Sequence, residues 1–260
     1  MLGLGQTLGS FSASEAADFT FSVNTATSGS TSSTRFQLPF VSTGFTAVDV
    51  DWGDGNTDAI TTWNQSETLH TYDTSGIYTI KIANVVNGFS FNNGGDKAKM
   101  NIVSNCGQLN INTTGTFYGC SNMTWTAAGA PTIGTNDIAS TFRGCAVFNG
   151  NVNNWDVSGV TNLFAFLFTA DSFTGALDNW DIGSVTTIGF FLSTANASDP
   201  SITTVNYDAL LVSWEGQAPN EDLGNVHFGG SEFTSGSAAE TARTSLIDTY
   251  GWTITDGGGI

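Results

Sequence analysis

The chain is poor in positive charge: six Lys and Arg stand against 23 Asp and Glu, for a formal net charge of −17. Such a surface repels a phosphate backbone rather than neutralising it, so no nucleic acid is expected among its partners. Charged residues of either sign make up only 11% of the 260 residues, and Ser, Thr, Asn and Gly fill the polar positions instead. Those short side chains bond to nearby backbone and favour turns over helix interiors. The 31 glycines add the positive-φ corners that tight turns need. Long helices are excluded, and β structure with many turns is expected.

Other absences narrow the function. No stretch approaches the roughly 18–20 apolar residues that span a bilayer, so membrane insertion is not expected. The start, Met1 to Gly9, is apolar but short and glycine-broken, and the first basic residue is Arg35, so it lacks the basic n-region of a signal peptide. Three cysteines, Cys106, Cys120 and Cys145, are too few and too odd in number for a disulfide scaffold, and no Cys or His spacing suggests zinc. The only histidines are His70 and His227, and no Gly-x-Ser-x-Gly, His-Glu-x-x-His or phosphate-cradling loop is present. No catalytic, cofactor-binding or metal residues are therefore assigned, no cofactor is expected, and the chain reads as a non-enzyme.

What is present is enough apolar material for a core, 40% of residues with 12% aromatic. Residues 1–34 are small and polar and read as an N-terminal arm or linker. From Arg35 the pattern changes. Phe36, Leu38 and Phe40 alternate, as do Val48 and Val50, and Ile77, Tyr78, Ile80 and Ile82 form a further strand-like run. Between them Asp49-Val50-Asp51-Trp52-Gly53-Asp54-Gly55 combines a tight-turn signal with a large core residue. With His70-Thr71-Tyr72 and Gly76-Ile77-Tyr78, this segment resembles the immunoglobulin-like domain of the polycystic kidney disease (PKD) type over residues 35–84. The resemblance implies a β-sandwich, expected over residues 35–99, that acts as a spacer or display module.

Farther on, Thr116-Phe117-Tyr118-Gly119-Cys120 returns as Thr141-Phe142-Arg143-Gly144-Cys145, a shift of 25 residues. The same shift reaches Leu167 to Ala170 and Leu192 to Ala195, and relates Phe148 to Val157 with Phe173 to Ile182. A unit this short cannot bury its own apolar face, so neighbouring copies stack into one core, with Phe142, Phe148, Trp155, Leu167, Phe173 and Trp180 inside. The words Asn154-Trp155-Asp156-Val157-Ser158-Gly159-Val160-Thr161-Asn162-Leu163 resemble the BspA-like leucine-rich repeats of bacterial surface proteins, with Leu163 and Ile188 where the family carries methionine. The resemblance covers residues 100–258. It implies a solenoid over residues 100–200 and a C-terminal cap over 201–260, where Tyr207, Leu210, Leu211 and Trp214 share a helical face. The fold class expected is mainly β: an immunoglobulin-like sandwich plus a leucine-rich-repeat-type solenoid and its cap.

Structural and chemical readings compete at four places. Asp49, Asp51, Asp54 and Asp58 present hard oxygen ligands suited to Ca²⁺ but lack EF-hand spacing, and read first as turn-stabilising carboxylates. His70 reads as a packed strand residue. Asp156 and Asp181 share a repeat phase and would sit on adjacent coils, where a structural turn explains them better than acid/base chemistry. Cys120 and Cys145 also share a phase, leaving buried thiols or a disulfide open.

The sequence thus points to a structural or binding protein on a surface. A bacteriophage fibre, decoration or tail-associated protein on the virion is the first expectation, and a bacterial cell-surface adhesin the second. The partners expected are other virion or surface proteins through the N-terminal arm, a host glycan or protein receptor on the repeats, and sister subunits of a homo-oligomer.

Overall fold

The computed structural model describes residues 17–192, 201–217 and 223–260. The part of the expected arm at residues 1–16, and Ser193 to Ala195 of the repeat, lie outside the described residues. The fold is mainly β with few helices. In chain order the strands are β1 (Phe19–Asn24), β2 (Arg35–Gln37), β3 (Val48–Asp51), β4 (Thr57–Ile60), β5 (Leu69–Thr71), β6 (Ile77–Ala83), β7 (Met100–Asn105), β8 (Asn110–Ile111), β9 (Thr124–Trp125) and β10 (Thr132–Ile133). There follow α1 (Thr204–Gly216), β11 (Asn225–His227), β12 (Glu232–Phe233), α2 (Ala238–Asp248), β13 (Thr253–Thr255) and β14 (Gly258–Gly259).

The first half is built on a six-stranded sheet in the order β4-β3-β6-β1-β7-β9. Alternation decides its faces: Val48, Val50, Ile80 and Ile82 are buried, while Asp49, Thr79 and Lys81 between them are exposed. The antiparallel pair β2 and β5 lies across the sheet, with Phe36 meeting Phe21 at 6.3 Å and His70 stacked on Trp52 at 4.6 Å. The turn between β3 and β4 falls where the Asp-Gly signal put it. There Gly53 has φ +78°, and a Cβ on it would run into the Thr79 carbonyl, so the turn requires glycine on two counts.

Residues 17–34 are not an arm. The run Phe19, Phe21 and Val23 buries its side chains in the core, and β1 is the central strand, paired antiparallel with both β6 and β7. This segment is anchored from its far side as well. Lys99 and Asp96 are fully buried as an ion pair 3.6 Å apart. The Lys99 ammonium donates to the carbonyls of Thr31, Ser32 and Arg35, and Asp96 accepts from the Thr31 and Gln37 N–H groups.

The structure draws no seam at residues 99 and 100 either. β7 belongs to the same sheet as β1 and starts a parallel pairing with β9. In-register parallel bonding in fact begins earlier, at Val86, whose N–H bonds to Gln108 and whose carbonyl accepts from Asn110. From there the backbone climbs in rungs: Phe91 N–H to Thr116 O, Phe117 to Thr141, Phe142 to Phe166, and Leu167 to Phe191, all between 2.8 and 3.1 Å. The same ladder passes on through Leu192 to His227 and Phe228 to Thr255. Residues 201–260 therefore extend the stack rather than simply covering it. β11 and β13 pair in parallel, with α1 and α2 on the connections that lead into them.

The helices form where the sequence allows. Thr203 and Ser237 cap their first turns with side-chain oxygens. The face of α1 formed by Tyr207, Leu210, Leu211 and Trp214 is buried, as its spacing predicts. The Trp214 indole N–H reaches Leu177 O at 3.1 Å, and Arg243 of α2 clamps Asp256 through two bonds of 2.7 and 3.0 Å. All six residues expected inside the repeats are buried, and one apolar cluster runs unbroken from Phe19 to Trp252. Within it Phe142 stacks on Phe148 at 3.9 Å and on Phe117 at 5.7 Å, joining neighbouring rungs. No helix among the described residues is long and apolar enough to cross a membrane.

Candidate functional site

Each rung turns one corner through a left-handed residue: Gly115, Ser140, Ala165 and Phe190, with φ of 64°, 59°, 54° and 53°. Because parallel strands stack about 4.8 Å apart in register, the residues three positions beyond that corner form a column. Tyr118, Arg143 and Phe168 occupy it. The Arg143 guanidinium carbon lies 5.0 Å from the ring centres of both Tyr118 and Phe168, so the half-buried cation is flanked by an aromatic ring from each neighbouring rung.

Beside this column Phe164 and Phe190 meet edge to face at 5.6 Å, and Phe190 touches Phe168 in the same way at 6.0 Å. Phe164 is 36% exposed and Phe190 41%. Together with Arg143, Ala165 and Phe168 they line a pocket of about 260 Å³. Two properties set this pocket apart. Among the described residues the Arg143 guanidinium has no hydrogen-bond or ion-pair partner, whereas Arg243 and Lys99 are each paired with a carboxylate. Phe190 also takes the left-handed corner that Gly115, Ser140 and Ala165 take on the earlier rungs, and of these four it alone puts a large side chain there, lining the pocket.

A larger groove of about 530 Å³ lies between β2 and the loop after Phe89, with Trp63 43% exposed at its rim. Most of its polar side chains are already engaged. Gln65 accepts from the Thr61 N–H and donates to Ala59 O, Gln37 donates to the Thr68 hydroxyl, and Ser66 bonds Glu67. The arginine–aromatic column is the stronger candidate because its guanidinium has no partner among the described residues.

The residues singled out from the sequence are placed in structural roles. Asp51 accepts from the Gly53 N–H, Asp54 from the Asn56 N–H, Asp58 from the Trp52 indole, and Asp49 from the Asn84 amide, so each carboxylate of the Asp-rich turn is used within the chain. Partial burial raises the pKa of Asp54, but bonds from His70 and Asn56 outweigh it and hold the carboxyl below its ordinary range. His70 lies between Trp52 and Tyr72 with Nε2 2.8 Å from Asp54. Asp156 and Asp181 are exposed and accept from N–H groups two residues on, at Ser158 and Gly183, as turn residues do. Cys106, Cys120 and Cys145 are buried free thiols. Burial pushes Cys106 and Cys145 up to about 12 and Cys120 well above its usual value, which suppresses thiolate chemistry.

None of the column residues was singled out from the sequence. The signal was present: Tyr118 and Arg143 are the one difference between the two copies of the five-residue word. A position that varies while its neighbours repeat faces outward.

His227 extends the aromatic set, stacked on Phe190 at 5.1 Å and 3°. Among the described residues its buried Nδ1 has no partner, and desolvation holds its pKa below 6.5. The unfolded chain therefore binds the proton more readily, and stability is lost as pH falls from about 6.5 toward the lower folded value. We expect the melting temperature to drop between about pH 7.5 and pH 5.5, and His227→Gln to flatten that dependence. Thermal melts of both proteins across this range are the check, and identical profiles would refute the assignment.

Residues 111–213, which carry the whole column, match a family described as Mycoplasma protein of unknown function, DUF285. No curated protein and no solved structure matches the chain.

Proposed function

We propose that the chain is a non-enzymatic structural and binding protein displayed on a surface. In this reading the N-terminal half is a PKD-like, immunoglobulin-like sandwich that sets reach. The rungs are a BspA-like, leucine-rich-repeat-type solenoid, closed by the C-terminal helices, that presents the contact face. The observation that carries the reading is the parallel ladder with a half-buried arginine–aromatic column on one corner, since such a regular stack displays side chains in fixed rows. Carboxylates tied up in turns and thiols held protonated support a binding role over a catalytic one.

The narrower form of the proposal is a bacteriophage virion component, a fibre, decoration or tail-associated protein that mediates assembly or attachment. A bacterial cell-surface adhesin that binds host protein or glycan is the second reading, favoured by the similarity of residues 111–213 to a family described from Mycoplasma. Mass spectrometry of purified virus particles and of peptides shaved from intact cells separates them. Recovery in particles supports the first, recovery from the cell surface supports the second, and recovery from neither overturns both.

A further inference from the structure

We infer that the pocket formed by Arg143, Phe164, Ala165, Phe168 and Phe190 binds an acidic sugar, a six-membered ring carrying one carboxylate. The inference rests on the proposed binding role and names the ligand class of that site. A guanidinium flanked by the Tyr118 and Phe168 rings is restricted in how it can turn, which favours a planar, bidentate acceptor at its N–H groups. Among the described residues the guanidinium has no acidic partner, in a chain of net charge −17.

The same charge limits the ligand. A polyanion would be repelled by the molecule as a whole, whereas a single carboxylate in an otherwise neutral glycan meets one local cation at small cost. The exposed rings of Phe164 and Phe190 supply the second half of the site. The C–H face of a pyranose is slightly positive and lies against the negative face of an aromatic ring. A pocket of about 260 Å³ sits below the range of about 300–1,000 Å³ found for drug-sized ligands, which fits one substituted ring. Placing Phe190 at a corner that Gly, Ser or Ala fills on the preceding rungs is what brings the second ring to the pocket.

The test is a ligand-observed and protein-observed NMR titration of the full chain with methyl β-D-glucuronide, and with methyl β-D-glucoside as its neutral counterpart. The glucuronide is expected to bind about tenfold or more tightly than the glucoside. Arg143→Gln should bring the two to parity, and Phe190→Ala should weaken both. Both variants are expected to fold, since the Arg143 side chain makes no polar bond among the described residues, its backbone bonds to Gly119 and Ser140 are kept, and Ala165 already occupies the equivalent corner. Equal binding of the two sugars by the unaltered protein, binding that Arg143→Gln leaves unchanged, or tighter binding of polysulfated heparin or an acidic peptide at the same resonances would each overturn the acidic-sugar assignment. Absence of binding would overturn that assignment while leaving the surface-protein reading standing. Conversion of the glucuronide into new species during the titration would overturn the non-enzymatic reading instead.

Discussion

Phe142→Ala is expected to lower the unfolding free energy by about 3–5 kcal/mol, among the largest losses from a single side chain in the rungs. The Phe142 ring is fully buried and touches Phe117, Trp125, Phe148, Trp155 and Phe166, with centroid distances between 3.9 and 5.7 Å. Its backbone is held at a fixed height by the bonds from Phe117 N–H to Thr141 O and from Phe142 N–H to Phe166 O, both 2.9 Å. Neighbouring rungs therefore cannot close in on the space left by a truncated ring, and most of the cavity cost remains. Phe164→Ala is the internal control. It removes the same side chain from a partly exposed position of the next rung, where it gives up the edge-to-face contact with Phe190, and is expected to cost about 0.5–1.5 kcal/mol. Urea unfolding of the three proteins measures the contrast. Equal losses in the two variants would mean that the rungs do not share one interior.

Asp96→Asn is expected to cost about 3–5 kcal/mol, because it leaves the Lys99 ammonium charged, buried and uncompensated. Lys99→Met should cost as much by the converse route, stranding Asp96 and the carbonyls of Thr31, Ser32 and Arg35. The pair differs from a simple buried ion pair, in which joint replacement by apolar residues is often neutral. Here Asp96 also accepts from two backbone N–H groups and a hydroxyl, so the double variant should remain strongly destabilised. The double-mutant cycle isolates the direct interaction across 3.6 Å, and hydrogen exchange at residues 25–37 reports where the fold loosens. A double variant as stable as the starting protein would show that the backbone bonds, and not only the charge, contribute nothing.

These two sites differ in how far the sequence reveals them. Phe142 is legible because an in-register stack repeats its interior at a constant spacing, so Phe117, Phe142 and the words around Trp155 and Trp180 announce burial locally. The Asp-Gly turn after Trp52 is legible for the same kind of reason, since turn chemistry is a property of neighbouring residues. Asp96 and Lys99 are not: Asp96-Lys97-Ala98-Lys99 reads as a solvated charged run, and only its partners more than sixty residues earlier make it a core. β1 was hidden similarly. Phe19, Phe21 and Val23 alternate as a strand should, but the small polar residues on either side mask three apolar positions in a short run.

The sequence by itself determined the spacing of the rungs, the aromatic residues inside them, the Asp-rich turn and the buried face of α1. Each follows from short-range periodicity, because a residue's side-chain direction in a strand, helix or parallel stack is set by its own count along the chain. Only the tertiary structure decided that β1 lies mid-sheet, that the ladder starts at Val86 and continues through β11 and β13, and that Arg143 sits between two rings with no counter-charge among the described residues. Those are questions of which distant segments become neighbours, and they are settled by the shared packing of the whole core and not by any local pattern.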